Sequence, residues 1–496
     1  MVILRFIIAF AAFLLMPEAA CFAKSVIVTG KAPGYANSVL VMRAQRDPVS
    51  RASYDLASAT VSADGSFRFV ADVSEVTLVT LDLSYYEAYL FLEPGAKYEV
   101  SLPPFKLRPD AERFNPFYQA KQINLVIRSA SSDLNHAIRR FDDDFGRLYY
   151  TSVAAIVRRR DKRLADSVIA RLDSAERAIN CRNPFFRQHA LYRKAEVFAT
   201  PRMQYPRSVI REYYAGRPVA FNVPAYWRTL EILGSDLAES AAKAPIARKV
   251  KDIIDSDGTK DAKSASDALA ADSLFSSNTV LREVLVLRTL RGGFYSGEIP
   301  DGRADTLLVS AARDFKTKRV RIMAANVYAG KNRLKAGLPA PDFSLTDDKD
   351  RTISLSSFRG RFLYLCFMHS ENYECMKALP VLDNMAQLHR ADLDVLCVFS
   401  DDDADALYAK LAKQSHVWRG VSWITSQRIL SDYEVRGLPT YFLIDPDGCV
   451  SIAQAPGPSE NVGPAIAECI RRYKVIRRKG RVEVPRTIYD IANDGK

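Results

Sequence analysis

Residues Arg361–Pro380 read RFLYLCFMHSENYECMKALP, and the fold turns on them. Phe362 to Phe367 is an unbroken apolar run of aromatic and long aliphatic side chains, the composition of a buried strand. The run breaks at His369-Ser370-Glu371-Asn372 and resumes as Glu374-Cys375-Met376-Lys377-Ala378-Leu379, which reads as a helix opening. The pattern predicts strand, short polar turn and helix, with Cys375 in the first helical turn. Asn372 suits the N-cap, where its side-chain oxygen can accept the backbone N–H of Cys375.

Matching motifs flank this stretch in order. Upstream stand Ala340-Pro341-Asp342-Phe343-Ser344-Leu345, then Ile353-Ser354-Leu355 and Phe358-Arg359-Gly360. Downstream come Gly437-Leu438-Pro439-Thr440-Tyr441-Phe442-Leu443-Ile444-Asp445 and the turn Pro446-Asp447-Gly448. Together they resemble the TlpA/AhpC-TSA branch of the thioredoxin superfamily, over roughly Leu334 to Val475. The resemblance implies a thioredoxin-like α/β domain, a cis-proline at Pro439, and a Cys-x-x-Cys pair in the turn.

Aligning Phe367 and Pro380 with the family places Asn372 on the first cysteine and Cys375 on the second. The exchange reaction needs an exposed thiolate at the first position and a resolving thiol at the second. An amide cannot be the sulfur nucleophile. Asn372 therefore marks a degenerate nucleophile position, and Cys375 is expected to be a vestigial or single thiol, buried and inert. Many TlpA-like proteins carry a carboxylate three residues after the second cysteine, and here that residue is Ala378. Glu374 and Glu371 add negative charge that opposes a thiolate. Peroxidase chemistry would need a thiol where Asn372 stands. In active relatives the backbone before the cis-proline pairs with an extended substrate peptide, which implies peptide docking at Leu438 and Pro439. His369 is expected to be hydrogen-bonded at the strand end.

The chain has 496 residues, enough for about three domains at roughly 150 each. It is 48% hydrophobic and 26% charged, ordinary for globular domains. The net charge is +12 and the pI about 9.2, with the basic residues spread along the chain. No zinc-finger spacing or aromatic-interleaved basic motif accompanies them, so a nucleic-acid partner is not expected. Contact with an anionic membrane surface is compatible with the charge.

Met1 to Ala23 reads as an export signal: Arg5, an apolar stretch from Phe6 to Met16, then small residues up to Ala23. The stretch is too short to span a bilayer, and no later one reaches the necessary length. The mature protein is expected to be exported, periplasmic or associated with the cell envelope. A rival reading makes Cys21 a lipidation site and the protein lipid-anchored; Glu18 fits that poorly. Cleavage after Ala23 leaves Cys181, Cys366, Cys375, Cys397, Cys449 and Cys469. They show no framework spacing, and Cys366 and Cys397 sit in apolar strand runs as small hydrophobes. The five histidines show no metal-ligand spacing, so neither a metal nor another cofactor is expected.

The architecture expected is multidomain α/β: an N-terminal β-sandwich (24–105), an α-helical middle domain (106–333), the C-terminal thioredoxin-like α/β fold (334–475) and a loosely packed basic tail (476–496). The first part shows β-rich runs such as Val39-Leu40-Val41-Met42 and a turn at Ala63-Asp64-Gly65-Ser66. The middle shows a helical stripe at Leu134, Ile138, Phe141, Phe145 and Leu148. Another begins at Leu281, Val284 and Leu285 and is expected to end near Gly292-Gly293. Aromatics around Tyr205, Tyr213, Tyr214, Tyr226 and Trp227 are read as helix packing rather than as a ligand groove. Two functions follow from different classes. One is binding or scaffolding through an extended peptide or envelope protein partner, without dithiol chemistry. The other is thiol-disulfide oxidoreduction through Cys375, alone or with another cysteine.

Overall fold

The computed structural model describes residues 23–109, 112, 119–128, 133–159, 161–199, 206–235, 245–256, 258–349, 351–401, 403–413, 416–424, 428–460, 462–478 and 488–494. Cys21 and the export signal, apart from Ala23, lie outside them. The chain forms two compact units, Met1–Leu107 with Ala120–Leu307, and Arg108–Gln119 with Leu308–Lys496.

In the first unit, period-two alternation makes sheets. Strand β1 is Lys24–Lys31, β2 Val39–Gln45, β3 Ser53–Thr60, β4 Ser66–Val73, β5 Thr77–Leu83, β6 Tyr86–Leu92 and β7 Lys97–Ser101. In β4, Phe67, Phe69, Ala71 and Val73 are buried and the residues between them exposed, so one face is committed to a core. Two short strands follow, β8 (Lys121–Asn124) and β9 (Val126–Ile127). The sheets run β4-β1-β7-β9 and β3-β2-β5-β6-β8. One hydrophobic cluster takes Val26, Val28, Phe69 and Tyr98 from the first sheet and Met42, Val79, Leu81 and Leu90 from the second. β8 lies parallel to β6 and β9 antiparallel to β7, so the sheets recruit chain beyond residue 105, where the sequence pattern ends the β-sandwich. Segments of four and two residues carry almost no periodicity of their own; pairing makes them strands. Gly65 closes the turn before β4 at φ +83°, and a Cβ there would lie 2.5 Å from the Pro33 nitrogen.

Among the described residues the helices of this unit include α1 (Asp133–Arg159), α2 (Lys162–Ala178), α3 (Pro184–Ala199), α4 (Pro224–Ile232), α5 (Pro245–Asp255), α6 (Ala262–Leu269) and α7 (Thr279–Tyr295). The stripe from Leu134 to Leu148 is buried along α1. Asn135 of α1 fixes the helix to β6: its Oδ1 accepts the Phe91 N–H and its Nδ2 donates to the Phe91 carbonyl, both at 2.8 Å. Asp161 caps α2 by accepting the Leu164 N–H. Tyr192, Tyr214 and Tyr226 meet ring to ring at 4.8–5.4 Å, and Tyr214 donates to the Tyr226 carbonyl, so these aromatics are core. Helix α7 ends at Tyr295, near Gly292-Gly293 as expected, with both glycines inside its last turn. Gly293 is a packing glycine: a Cβ would lie 2.5 Å from Ile299.

The second unit contains the last part of α8 (Asp301–Asp314), then α9 (Lys318–Lys331). Within 476–496, read from sequence as a loose tail, α13 (Ile488–Asp494) packs on α9 instead. Arg321 Nε donates to the Ala492 carbonyl at 2.9 Å, Tyr489 donates to Asn326 Oδ1, and Ala492 is fully buried. One helical turn of apolar contact is too short a pattern to stand out in a basic stretch.

Between them lies a thioredoxin-like core. A hairpin of β10 (Ser344–Thr346) and β11 (Thr352–Ser354) precedes β12 (Phe362–Met368). α10 (Tyr373–Leu388), β13 (Leu393–Phe399), α11 (Ala404–Leu411), β14 (Arg419–Ser422), β15 (Thr440–Ile444), β16 (Val450–Ile452) and α12 (Val462–Arg478) follow. The sheet runs β14-β13-β12-β15-β16, with β12, β13 and β14 parallel and β15 antiparallel to β12. All seven residues of β12 are buried because apolar layers cover both faces. Tyr364, Cys366 and Met368 pack with α10 and α12; Leu363, Leu365 and Phe367 pack with Phe343, Tyr433 and Phe442.

Candidate functional site

Parallel strands β12 and β13 end side by side, and open sheets gather their sites at carboxyl ends. The chain leaves β12 at Met368 and makes the turn 369–372 before entering α10. Contacts from Asp401, Lys410 and His369 hold the turn. The Ser370 N–H donates to the Asp401 carboxylate at 3.1 Å, and Lys410 Nζ donates to the Ser370 carbonyl at 2.6 Å. The Glu371 N–H donates to His369 Nδ1 at 3.1 Å, so that nitrogen carries the lone pair and the neutral ring is protonated at Nε2. Asp401 is itself buried, 3.9 Å from His369, and its carbonyl accepts the Trp423 indole.

Asp401 escaped the sequence reading. Its one signal was position, two residues beyond a buried strand whose neighbour leads into the turn. It supplies a carboxylate near Cys375 from beyond the end of β13, whereas the residue three after Cys375 on α10 is Ala378.

Asn372 is the N-cap of α10, as expected: its Oδ1 accepts the Cys375 N–H at 3.1 Å. Its Nδ2 also reaches the Leu438 carbonyl at 3.5 Å, a long contact that the sequence pattern did not suggest. Replacing Asn372 with Ala should lower stability by about 1 kcal/mol, while Asn372→Asp should keep most of the cap. Urea unfolding followed by tryptophan fluorescence reads the difference; equal losses in both variants would refute the capping role.

Cys375 is completely buried. Burial pushes its thiol up to about 11, with Asp401, Cys397 and Glu374 adding to the effect. Only the backbone N–H of His369, which donates to the sulfur, pulls the other way. Cys366 and Cys397 are register partners on β12 and β13 in the same core layer and fully buried, and Cys366 Sγ donates to the Tyr364 carbonyl at 3.8 Å. Burial raises the Cys366 thiol well above its ordinary value. All six described cysteines remain thiols.

The Leu438-Pro439 peptide is cis. Beside it opens a groove of about 450 Å³, lined by residues that include Glu374, Ala378, Glu434, Pro439, Tyr441 and Glu460. Pro439 thus faces the groove. Leu438 is not among the groove-lining residues; its side chain is packed against both core layers. Among the described residues no group of three or more metal-ligating side chains forms, and no helix is long and apolar enough to cross a membrane.

The model of the AhpC/TSA family matches residues 336–453. Thiol-disulfide oxidoreductase ResA of Bacillus subtilis is 30% identical over 125 residues, covering 25% of this chain and 69% of ResA. This chain belongs to the AhpC/TSA family. ResA of Geobacillus kaustophilus is 26% identical over 123 residues, 25% of this chain and 71% of that protein. A solved thiol:disulfide interchange protein from Bacteroides sp. is 20% identical, with a TM-score of 0.26, covering 28% of this chain and 91% of that one. The AhpC/TSA match lies wholly within the second unit and contains Asn372, Cys375, Asp401 and Pro439.

Proposed function

We propose that this chain is an exported AhpC/TSA-family protein of the cell envelope that docks an extended peptide or envelope partner and does not perform dithiol exchange. Its relatives named above are thiol-disulfide oxidoreductases. The observation that carries the difference is Asn372, which takes the place of the first cysteine and spends its side chain on the helix cap. Cys375 is then a vestigial thiol under that cap. The groove beside Pro439 and the Leu438 backbone are the docking elements, since backbone recognition survives the loss of sulfur chemistry. The N-terminal β-sandwich and helical middle part would present this domain outside the cytoplasm, after removal of residues 1–23 or, in the lipid-anchored form, attachment at Cys21.

Insulin reduction by dithiothreitol tests the central statement. The full chain should accelerate it no more than its Cys375→Ala variant does. Cysteine-dependent turnover above that control would replace docking with oxidoreduction as the function.

A further inference from the structure

The groove beside Pro439 has a floor and a rim of different chemistry. Tyr441 of β15 is the floor: it lines the groove although only 6% of it is exposed. Its ring lies on Tyr364, with centroids 5.5 Å apart and planes 17° from parallel. The Tyr364 hydroxyl in turn donates to the Pro456 carbonyl at 2.6 Å, which ties the loop beyond β16 to the same stack. A tyrosine this deep ordinarily pairs its hydroxyl. That of Tyr441 has no hydrogen-bond partner among the described residues and is not sealed from solvent, so it opens onto the groove. Burial, with the thiols of Cys366, Cys375 and Cys397 and the carboxylate of Glu460, raises the phenol well above its usual value. It is therefore neutral at pH 7, with lone pairs free to accept a donor.

The rim is acidic. Glu374, Glu434 and Glu460 stand exposed on it, against Arg436 as the one basic residue among the described lining. The groove is thus locally negative on a chain whose net charge is +12. Glu374 lies 4.0 Å from Lys377, and both are well exposed, a pairing worth little in water. Glu460 is held in place: its Oε2 accepts the Gly457 N–H at 2.7 Å, which leaves Oε1 for a ligand. A Cβ on Gly457 would lie 3.2 Å from the Tyr441 ring and 3.6 Å from Glu460 Oε2, so this carboxylate is braced beside the floor. Among the described residues no three metal-ligating side chains converge, so the carboxylates do not gather on one point as a bare metal ion requires. Spread over about 450 Å³, they suit an extended organic cation.

We propose that the groove receives a basic side chain, lysine or arginine, of the docked peptide, its cationic head on Glu460 Oε1 and the Tyr441 hydroxyl, in the field of Glu374 and Glu434. This rests on the peptide-docking reading above and adds to it the kind of peptide that is taken. The two side chains share the chemistry that matters here: a cation with several N–H donors on an apolar stem.

Isothermal titration of the full chain with end-blocked pentapeptides, acetyl-Ala-Val-X-Val-Ala-amide, tests the assignment. Blocking both ends leaves X as the only charge. With X lysine or arginine, binding should be about 10-fold tighter than with X norleucine, which keeps the carbon stem and lacks the charge. Glutamate at X should bind more weakly than norleucine. Glu460→Gln keeps an oxygen for the Gly457 N–H and should remove most of the preference for the basic peptides; Tyr441→Phe should reduce it, while both variants bind the norleucine peptide as before. Equal binding of the basic, norleucine and glutamate peptides overturns the inference and leaves peptide docking standing. Binding of none of them at millimolar concentration overturns both. A basic preference unchanged in both variants places the cation elsewhere and overturns the assignment.

Discussion

Iodoacetamide added to the folded chain at pH 7 is expected to leave Cys375 essentially unmodified. A thiol held at about 11 is ionised to only about one part in 10⁴ at that pH. An ordinary cysteine, titrating near 8.5, is about 3% thiolate, so ionisation alone slows alkylation by roughly 300-fold. Complete burial slows it further, because the reagent must wait for an opening. Mass spectrometry of the alkylated, digested protein reads the rate at each cysteine; Cys375 labelling as fast as a free thiol would contradict the buried, protonated state. The same shift has a consequence for stability. The folded-state value lies above the ordinary one, so folding favours the protonated thiol. That contribution is full below about pH 8.5 and is lost as the pH rises through about 11.

The second large effect is on stability. Phe367→Ala should destabilise the domain by about 3–5 kcal/mol, the range for emptying a buried aromatic site. Phe367 is fully buried in the middle of the sheet, with Tyr433 and Phe442 rings at 5.4 and 5.9 Å. Its neighbours on β13 and β15 are pinned by the ladder and cannot close over the gap. Trp418 and Trp423 report on this unit, so the urea midpoint of the fluorescence transition measures the loss. A cost under about 1 kcal/mol would mean that the layer is loosely packed.

How much of this was legible in the sequence depended on how local each cause was. Phe362 to Phe367 could be read as a buried strand because a strand covered on both faces needs an uninterrupted apolar run. Asn372 could be read as a cap because the hydrogen bond it makes lies three residues away. The α1 stripe was legible for the same reason: its period is written into consecutive turns. Other features depend on partners far along the chain. β8 exists because β6 offers it an edge, α13 because α9 offers Asn326 and Arg321, and the turn at Ser370 is held by Asp401 and Lys410. Nothing near those residues announces the pairing. Gly292-Gly293 marked the end of α7 to within two residues, but the sequence did not show that one of the two glycines also makes room for Ile299.

The single amide of Asn135 has a significance beyond holding a helix in place. β8 stops pairing with β6 at Tyr89, which leaves both main-chain groups of Phe91 without a strand partner on that side. By imitating one peptide unit, the side chain meets both groups at once and lets a helix take over where the ladder ends, so neither polar group is buried unsatisfied beneath α1.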